Sequence, residues 1–171
     1  VNDAPTFGNS GIVTTTIGTY TDTAYEAVVQ PDGKILAVGE SYSSDNELAF
    51  VRYNADGTLD TSFGGGDGKL TIAIGPNYYP RGAAMLADGK IVVAGGIYVG
   101  SAYQVALVRC NADGTLDTGF GGGDGIVTTS MGAISVSAQG LAIQSDGKIV
   151  VVGSALNGTT ADVALLCYNA D

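Results

Sequence analysis

The chain has 171 residues, 45% of them apolar, which is enough for one domain with a buried core, and seven basic against seventeen acidic side chains leave a formal charge of −10. That charge repels nucleic-acid phosphates and anionic lipid heads, and the strongest apolar run, Ile91 to Val99, is about half a bilayer-crossing length and is broken by Gly95 and Gly96, so neither nucleic acid nor membrane insertion is expected. Histidine is absent and cysteine occurs twice, which removes the usual general base and any disulfide scaffold and argues against an enzyme.

In chain order, the first element is a strand expected around residues 11–17, where Ile12, Thr14 and Thr16 alternate with Val13 and Ile17. The segment AVVQPDGKILAVGE from Ala27 then predicts a hairpin, with Asp32-Gly33 as a turn whose two positions both take positive φ. It returns as AAMLADGKIVVAGG from Ala83 and GLAIQSDGKIVVVGS from Gly140, so the turn aspartates Asp32, Asp88 and Asp146 are spaced by 56 and 58 residues. A second block, AFVRYNADGTLDTSFGGGDG from Ala49, recurs as ALVRCNADGTLDTGFGGGDG from Ala106 and, shortened, as ALLCYNAD from Ala164.

Each repeat reads as about four strands. The second is apolar at consecutive positions, as in Ile149 to Val152, so both of its faces must be covered. The third is mixed, with Ala49, Val51 and Tyr53 facing one way and Phe50 and Arg52 the other, and it is expected nearer the surface. VNDAPTFG at the start of the chain and GTLDTSFG after Asp56 have the same length, each carry an aspartate and both end in Phe-Gly. Placing Val1 after Asp171 therefore restores an in-phase repeat. The expectation is a single all-β repeat domain over 1–171, with three repeats of about 57 residues, one of them split between the termini. Residues 1–48 complete the split repeat, and the others run approximately 49–105 and 106–163, with 164–171 joining the N-terminus.

Four-stranded antiparallel sheets stacked face to face are what propeller blades require. The run AFVRYNADGTLDTSFGGGDG together with the PDGKI hairpin resembles the delta-60 family of bacterial repeats, regarded as propeller-type, over essentially the whole chain. That resemblance implies a secreted or surface-exposed bacterial protein and no catalytic residues. The opening VNDAPT resembles the linker that ends bacterial cadherin-like repeats.

Candidate sites follow from the same repeats. Asp56, Asp60 and Asp67, and again Asp113, Asp117 and Asp124, place oxygens at intervals that suit a calcium ion, while Asn, Asp and Gly are also what tight turns require; both readings stand. No other cofactor is implied. Cys110 and Cys167 lie on opposite faces of equivalent strands, which permits a disulfide between successive repeats as well as two buried thiols. Arg52 and Arg109 read as solvated charges on a strand face, and the triple glycines 64–66 and 121–123 as turns. Tyr20, Tyr25, Tyr42, Tyr78, Tyr79, Tyr98 and Tyr103 cluster around loops, where rings stack on sugars or on a partner equally well.

Propeller rings need four or more blades, and three are supplied. Something must cover the end blades: a closed dimer, a longer parent chain, or head-to-tail assembly in which Phe7, Ile12, Val13, Thr14, Thr16 and Ile17 complete the last repeat of a neighbour. The leading expectation is thus a secreted bacterial structural protein, a subunit of an extracellular filament or surface assembly. The alternative is an adhesin module that binds a glycan or a surface protein through its loops.

Overall fold

A computed structural model describes residues 7–131 and 135–170; the VNDAPT segment and Asp171 lie outside them. The protein is all-β, in three antiparallel sheets stacked in chain order. The first contains β1 (Asp22–Val29), β2 (Ile35–Tyr42), β3 (Asn46–Tyr53) and β4 (Lys69–Ile72). The second contains β5 (Tyr79–Met85), β6 (Ile91–Val99), β7 (Ala102–Cys110) and β8 (Ile126–Thr129). The third contains β9 (Ser135–Ile143), β10 (Ile149–Asn157) and β11 (Thr160–Tyr168), with no fourth strand among the described residues. Strands β1, β5 and β9 lie next to one another along the inner side of the stack.

The sheets fall in a different phase from the expected boundaries at 49, 106 and 164. The first sheet is whole, over 22–72, and the interruption falls at the outer edge of the third. Hairpin pairing explains the phase: each sheet begins at the strand that the PDGK-type turn folds back, so a sheet gathers its four strands from one turn onward.

The turns differ from the expected two-residue type. Only the glycine takes positive φ, +83° at Gly33, +85° at Gly89 and +86° at Gly147, and the loop has three residues. Gly33 N donates to Gln30 O at 2.9 Å and Gln30 N to Lys34 O at 2.8 Å, a type I turn closed by a glycine bulge. Pro31 fits the first position of that turn, and Ala87 and Ser145 take the same place in the other two, so the shared device is the glycine at the third loop position.

Two apolar clusters hold the stack. Leu36, Val38, Leu48 and Phe50 of the first sheet meet Ile91, Val93, Ala106 and Val108 of the second. Val92, Ala94, Val105 and Leu107 on the opposite face of the second meet Val136, Ala138, Ile149 and Val151 of the third. The consecutive apolar run of β6 thus serves two neighbours at once, whereas β2 contributes to the first cluster alone. Strand β3 is also buried on both faces, from Leu48 through Val51, and not near the surface as its mixed pattern suggested. Leu48 and Phe50 pack into the cluster shared with the second sheet, and β4 pairs along the edge over the same residues.

Candidate functional site at the two ends of the stack

The junctions between blades set the standard against which the ends are read. At the first junction, Arg52 Nε donates to Asp60 Oδ2 at 2.7 Å, its Cζ lies 4.5 Å above the Phe63 ring, and its Nη1 donates to the carbonyl of Ala112 on the next blade at 3.1 Å. Lys34 Nζ joins Asp60 at 3.2 Å. The second junction repeats every part: Arg109 to Asp117 at 2.6 Å, Arg109 over Phe120 at 4.4 Å, Lys90 to Asp117 at 2.9 Å, and Arg109 to the carbonyl of Ala170. Arg109 is only 6% exposed. The arginines are therefore clamps between blades and not solvated strand charges, because burial beside a carboxylate and a ring face satisfies a guanidinium more fully than a strand surface does. The repeated eight-residue interval from Arg52 to Asp60 and from Arg109 to Asp117 was the available signal.

The carboxylates follow the same division. Asp56 Oδ1 accepts from the backbone and hydroxyl of Thr58, and Asp113 does the same with Thr115. Asp67 and Asp124 accept from the backbone N–H of Lys69 and Ile126. The expected calcium loop is not assembled: these carboxylates close their own turns, Asp60 and Asp117 are used in ion pairs, and among the described residues no group of three or more His, Cys, Asp or Glu is placed to hold a metal. The Ser62 hydroxyl, with Lys34 and Arg52, holds Asp60 well below the usual carboxylate range, and Lys90, with the Gly119 N–H and Arg109, holds Asp117 at about 2.

These depressed values set an acid limit. The unfolded chain binds more protons than the folded one below the usual aspartate pKa of about 3.9, so the clamps contribute fully above that pH and lose their contribution as pH falls through about 2. Urea midpoints should fall steadily between pH 4 and pH 2, and Asp117→Asn should flatten that slope. A wild-type midpoint that holds level over this range would contradict the clamp.

Residues 7–17 form no ladder strand. Their one bridge joins Asn9 to Ile12. They pack instead on the front of the first blade. Gly8 N donates to Asp56 O at 2.8 Å, Tyr53 OH donates to Thr15 Oγ1 at 2.8 Å, and a Cβ on Gly57 would stand 2.9 Å from Val13 and 3.3 Å from Phe7. The internal junctions show the same contacts. Tyr168 OH donates to Thr129 Oγ1 at 2.9 Å, and a Cβ on Gly114 would stand 2.5 Å from Leu70 and 2.8 Å from Phe63. Phe7, Val13 and Thr15 therefore occupy, on the first blade, the positions that the loop and fourth strand of a preceding blade occupy elsewhere. Val13, Thr15 and Ile17 are half-buried, whereas Ile12, Thr14 and Thr16 face solvent.

At the other end the third blade is uncovered. Val163 is 86% and Leu165 71% exposed, and Val152 and Leu156 are exposed beside them. Their counterparts on the second blade, Val105 and Leu107, are fully buried against the third. Two defects coincide here: an apolar face without a neighbour and, among the described residues, a strand edge without a partner.

The remaining candidates divide. Cys110 and Cys167 are unbridged, Cys110 fully buried and Cys167 exposed; burial pushes the Cys110 thiol up to about 12. They face different junctions, so the expected disulfide does not form. The triple glycines turn the chain after Phe63 and Phe120 with positive φ throughout. Tyr78 is fully buried, while Tyr79 and Tyr103 stand 6.2 Å apart beside a shallow cleft of about 230 Å³ shared with Arg81, Gly96 and Ser137. The cleft exists because Gly96 stands where the first blade carries Glu40.

A family model described as a domain of unknown function (DUF5122), β-propeller, matches residues 30–63, 86–120 and 144–171, more than half of the chain. No curated protein matches it.

Proposed function

We propose that this chain, which belongs to the DUF5122 β-propeller family, is a non-catalytic structural subunit that assembles head to tail outside the cell, each copy completing the third blade of its neighbour. The observation that carries this reading is the repetition of the Tyr168 to Thr129 contact as Tyr53 to Thr15. Residues 12–15 already sit as a fourth strand should, yet β11, which needs one, is at the opposite end of the stack. One chain carries the two halves of a blade on opposite ends, and a second copy brings them together. Backbone hydrogen bonds to the free edge of β11 supply affinity, and the alternation of Val13 and Thr15 with Ile12 and Thr14 sets the register. The absence of histidine and the use of the buried carboxylates in ion pairs support a role without chemistry. The resemblance to surface-exposed bacterial repeats supports the location.

Electron microscopy of the purified chain tests the proposal: fibres with one chain per axial repeat are expected, and removal of residues 1–17 should leave single chains. Discrete single-chain particles from the intact protein would sink it. The cleft beside Tyr79 and Tyr103 favours the second reading, an adhesin that stacks a sugar ring on tyrosine. Single particles retained on an immobilised glycan would replace the first reading with that one.

A further inference from the structure

The three inner strands bulge at equivalent places, at Tyr25 in β1, Arg81 in β5 and Gln139 in β9, and a bulge re-aims the side chain it carries. In the first blade this side chain holds a carboxylate: Tyr25 OH donates to Glu40 Oε1 at 2.7 Å. In the second blade the bulge carries Arg81, and Gly96 stands in the place of Glu40. Arg52 and Arg109 are committed to Asp60 and Asp117, whereas among the described residues no carboxylate pairs with Arg81, whose guanidinium rests 4.6 Å above the Tyr25 ring. A donor suited to a carboxylate thus borders the cleft at the point where the first blade supplies a carboxylate of its own.

Gly96 keeps that cleft open, and the fold does not require it. Its φ lies outside the left-handed region, and a Cβ there would stand 3.7 Å from Tyr103 and 4.0 Å from Ser137, which are ordinary contact distances. The adjacent Gly95 differs, since a Cβ there would stand 2.4 Å from the Tyr79 carbonyl oxygen. The other walls are Ser137, Tyr79 and Tyr103, the last braced by the Tyr98 ring edge-on at 5.1 Å.

We propose that this cleft binds the carboxylate-bearing ring of an acidic sugar, a hexuronic acid. The ligand carboxylate takes the part that Glu40 plays in the first blade and accepts from Arg81, whose planar fork matches it in shape as well as charge. The C–H face of the ring lies on tyrosine, and the Ser137 hydroxyl meets a sugar hydroxyl. At about 230 Å³ the cleft takes a single ring. The inference rests on the sugar-binding reading given above and deepens it; it does not depend on assembly.

Frontal affinity chromatography on the immobilised full chain tests this with methyl glucuronide and methyl glucoside, which differ only in the carboxylate. The glucuronide should bind roughly tenfold more tightly, as one charge-assisted hydrogen bond provides. Gly96→Glu gives the second blade the carboxylate of the first, and Arg81→Gln gives it the bulge residue of the third. Each should weaken glucuronide binding roughly tenfold or more, with circular dichroism unchanged. Equal binding of the two glycosides, or folded variants that bind the glucuronide as the wild type does, overturns the carboxylate assignment while leaving sugar binding standing. Retention of neither glycoside removes the sugar reading and this inference with it.

Discussion

Replacing Val163 and Leu165 by aspartate should convert assembled material to single chains while leaving the fold of each chain intact. Both side chains are exposed in the single chain, so folding does not depend on them, whereas in the joint they would be buried as Val105 and Leu107 are. Burying two such side chains contributes about 3–6 kcal/mol, and the aspartates add the cost of desolvating charge, so association should weaken by at least about 100-fold. The same change at Val105 and Leu107 gives the internal comparison. These residues are fully buried between the second and third blades, and aspartate there should prevent folding altogether. Sedimentation reads the first effect and circular dichroism the second. Assembly that survives Val163→Asp and Leu165→Asp would mean that the exposed face of the third blade is not the joint.

The largest single-site effects on stability are expected at glycines that sequence alone marks only as repeated. Gly39 and Gly153 occupy equivalent places in their hairpins, and a Cβ there would lie 1.9 Å from the Thr23 carbonyl oxygen and 2.0 Å from that of Ser137. The neighbouring inner strands bulge at this point, with a register shift around Tyr25 in β1 and around Gln139 in β9, and the bulge brings the carbonyl down onto the glycine. Backbone must move to admit even a methyl group, so Gly39→Ala or Gly153→Ala should cost about 2–4 kcal/mol. Gly65 and Gly122 form the contrast. Nothing lies within 4 Å of a Cβ at either, and only their positive φ, +84° and +86°, resists alanine, at roughly 1–2 kcal/mol. Urea denaturation of the four variants should separate the two pairs, and equal losses would show that the bulge contact does not constrain the sheet.

The Arg clamps show where reading the sequence stopped short. Arg52 alternates with apolar residues on β3, and alternation alone reads as a solvated face, because period-2 patterning identifies sides of a strand and not what stands across from each side. The next blade, sixty residues further on, supplies the Ala112 carbonyl that makes this position an interior one. The same limit explains β3, whose edge partner β4 lies beyond a fifteen-residue connection, and the aspartates, whose spacing suits a cation equally well until the turns take up their oxygens. The positive-φ expectation failed at Asp32, Asp88 and Asp146 because each turn is a three-residue loop in which the glycine alone takes positive φ.

The sequence by itself determined the all-β class, the threefold repetition and the hairpin at each Asp-Gly, since each rests on local chain geometry or on repeated motifs; two-sided burial of the second strand held for β6 and not for β10, where Val152 is exposed. The correspondence of Phe7 to Phe63 was also visible there. Only the tertiary structure decided that residues 7–17 rest on the first blade, that the third sheet has no fourth strand among the described residues, and that the paired arginines reach carbonyls of the next blade. Those facts concern contacts between segments about forty to sixty residues apart, which local pattern does not encode and stacking alone creates.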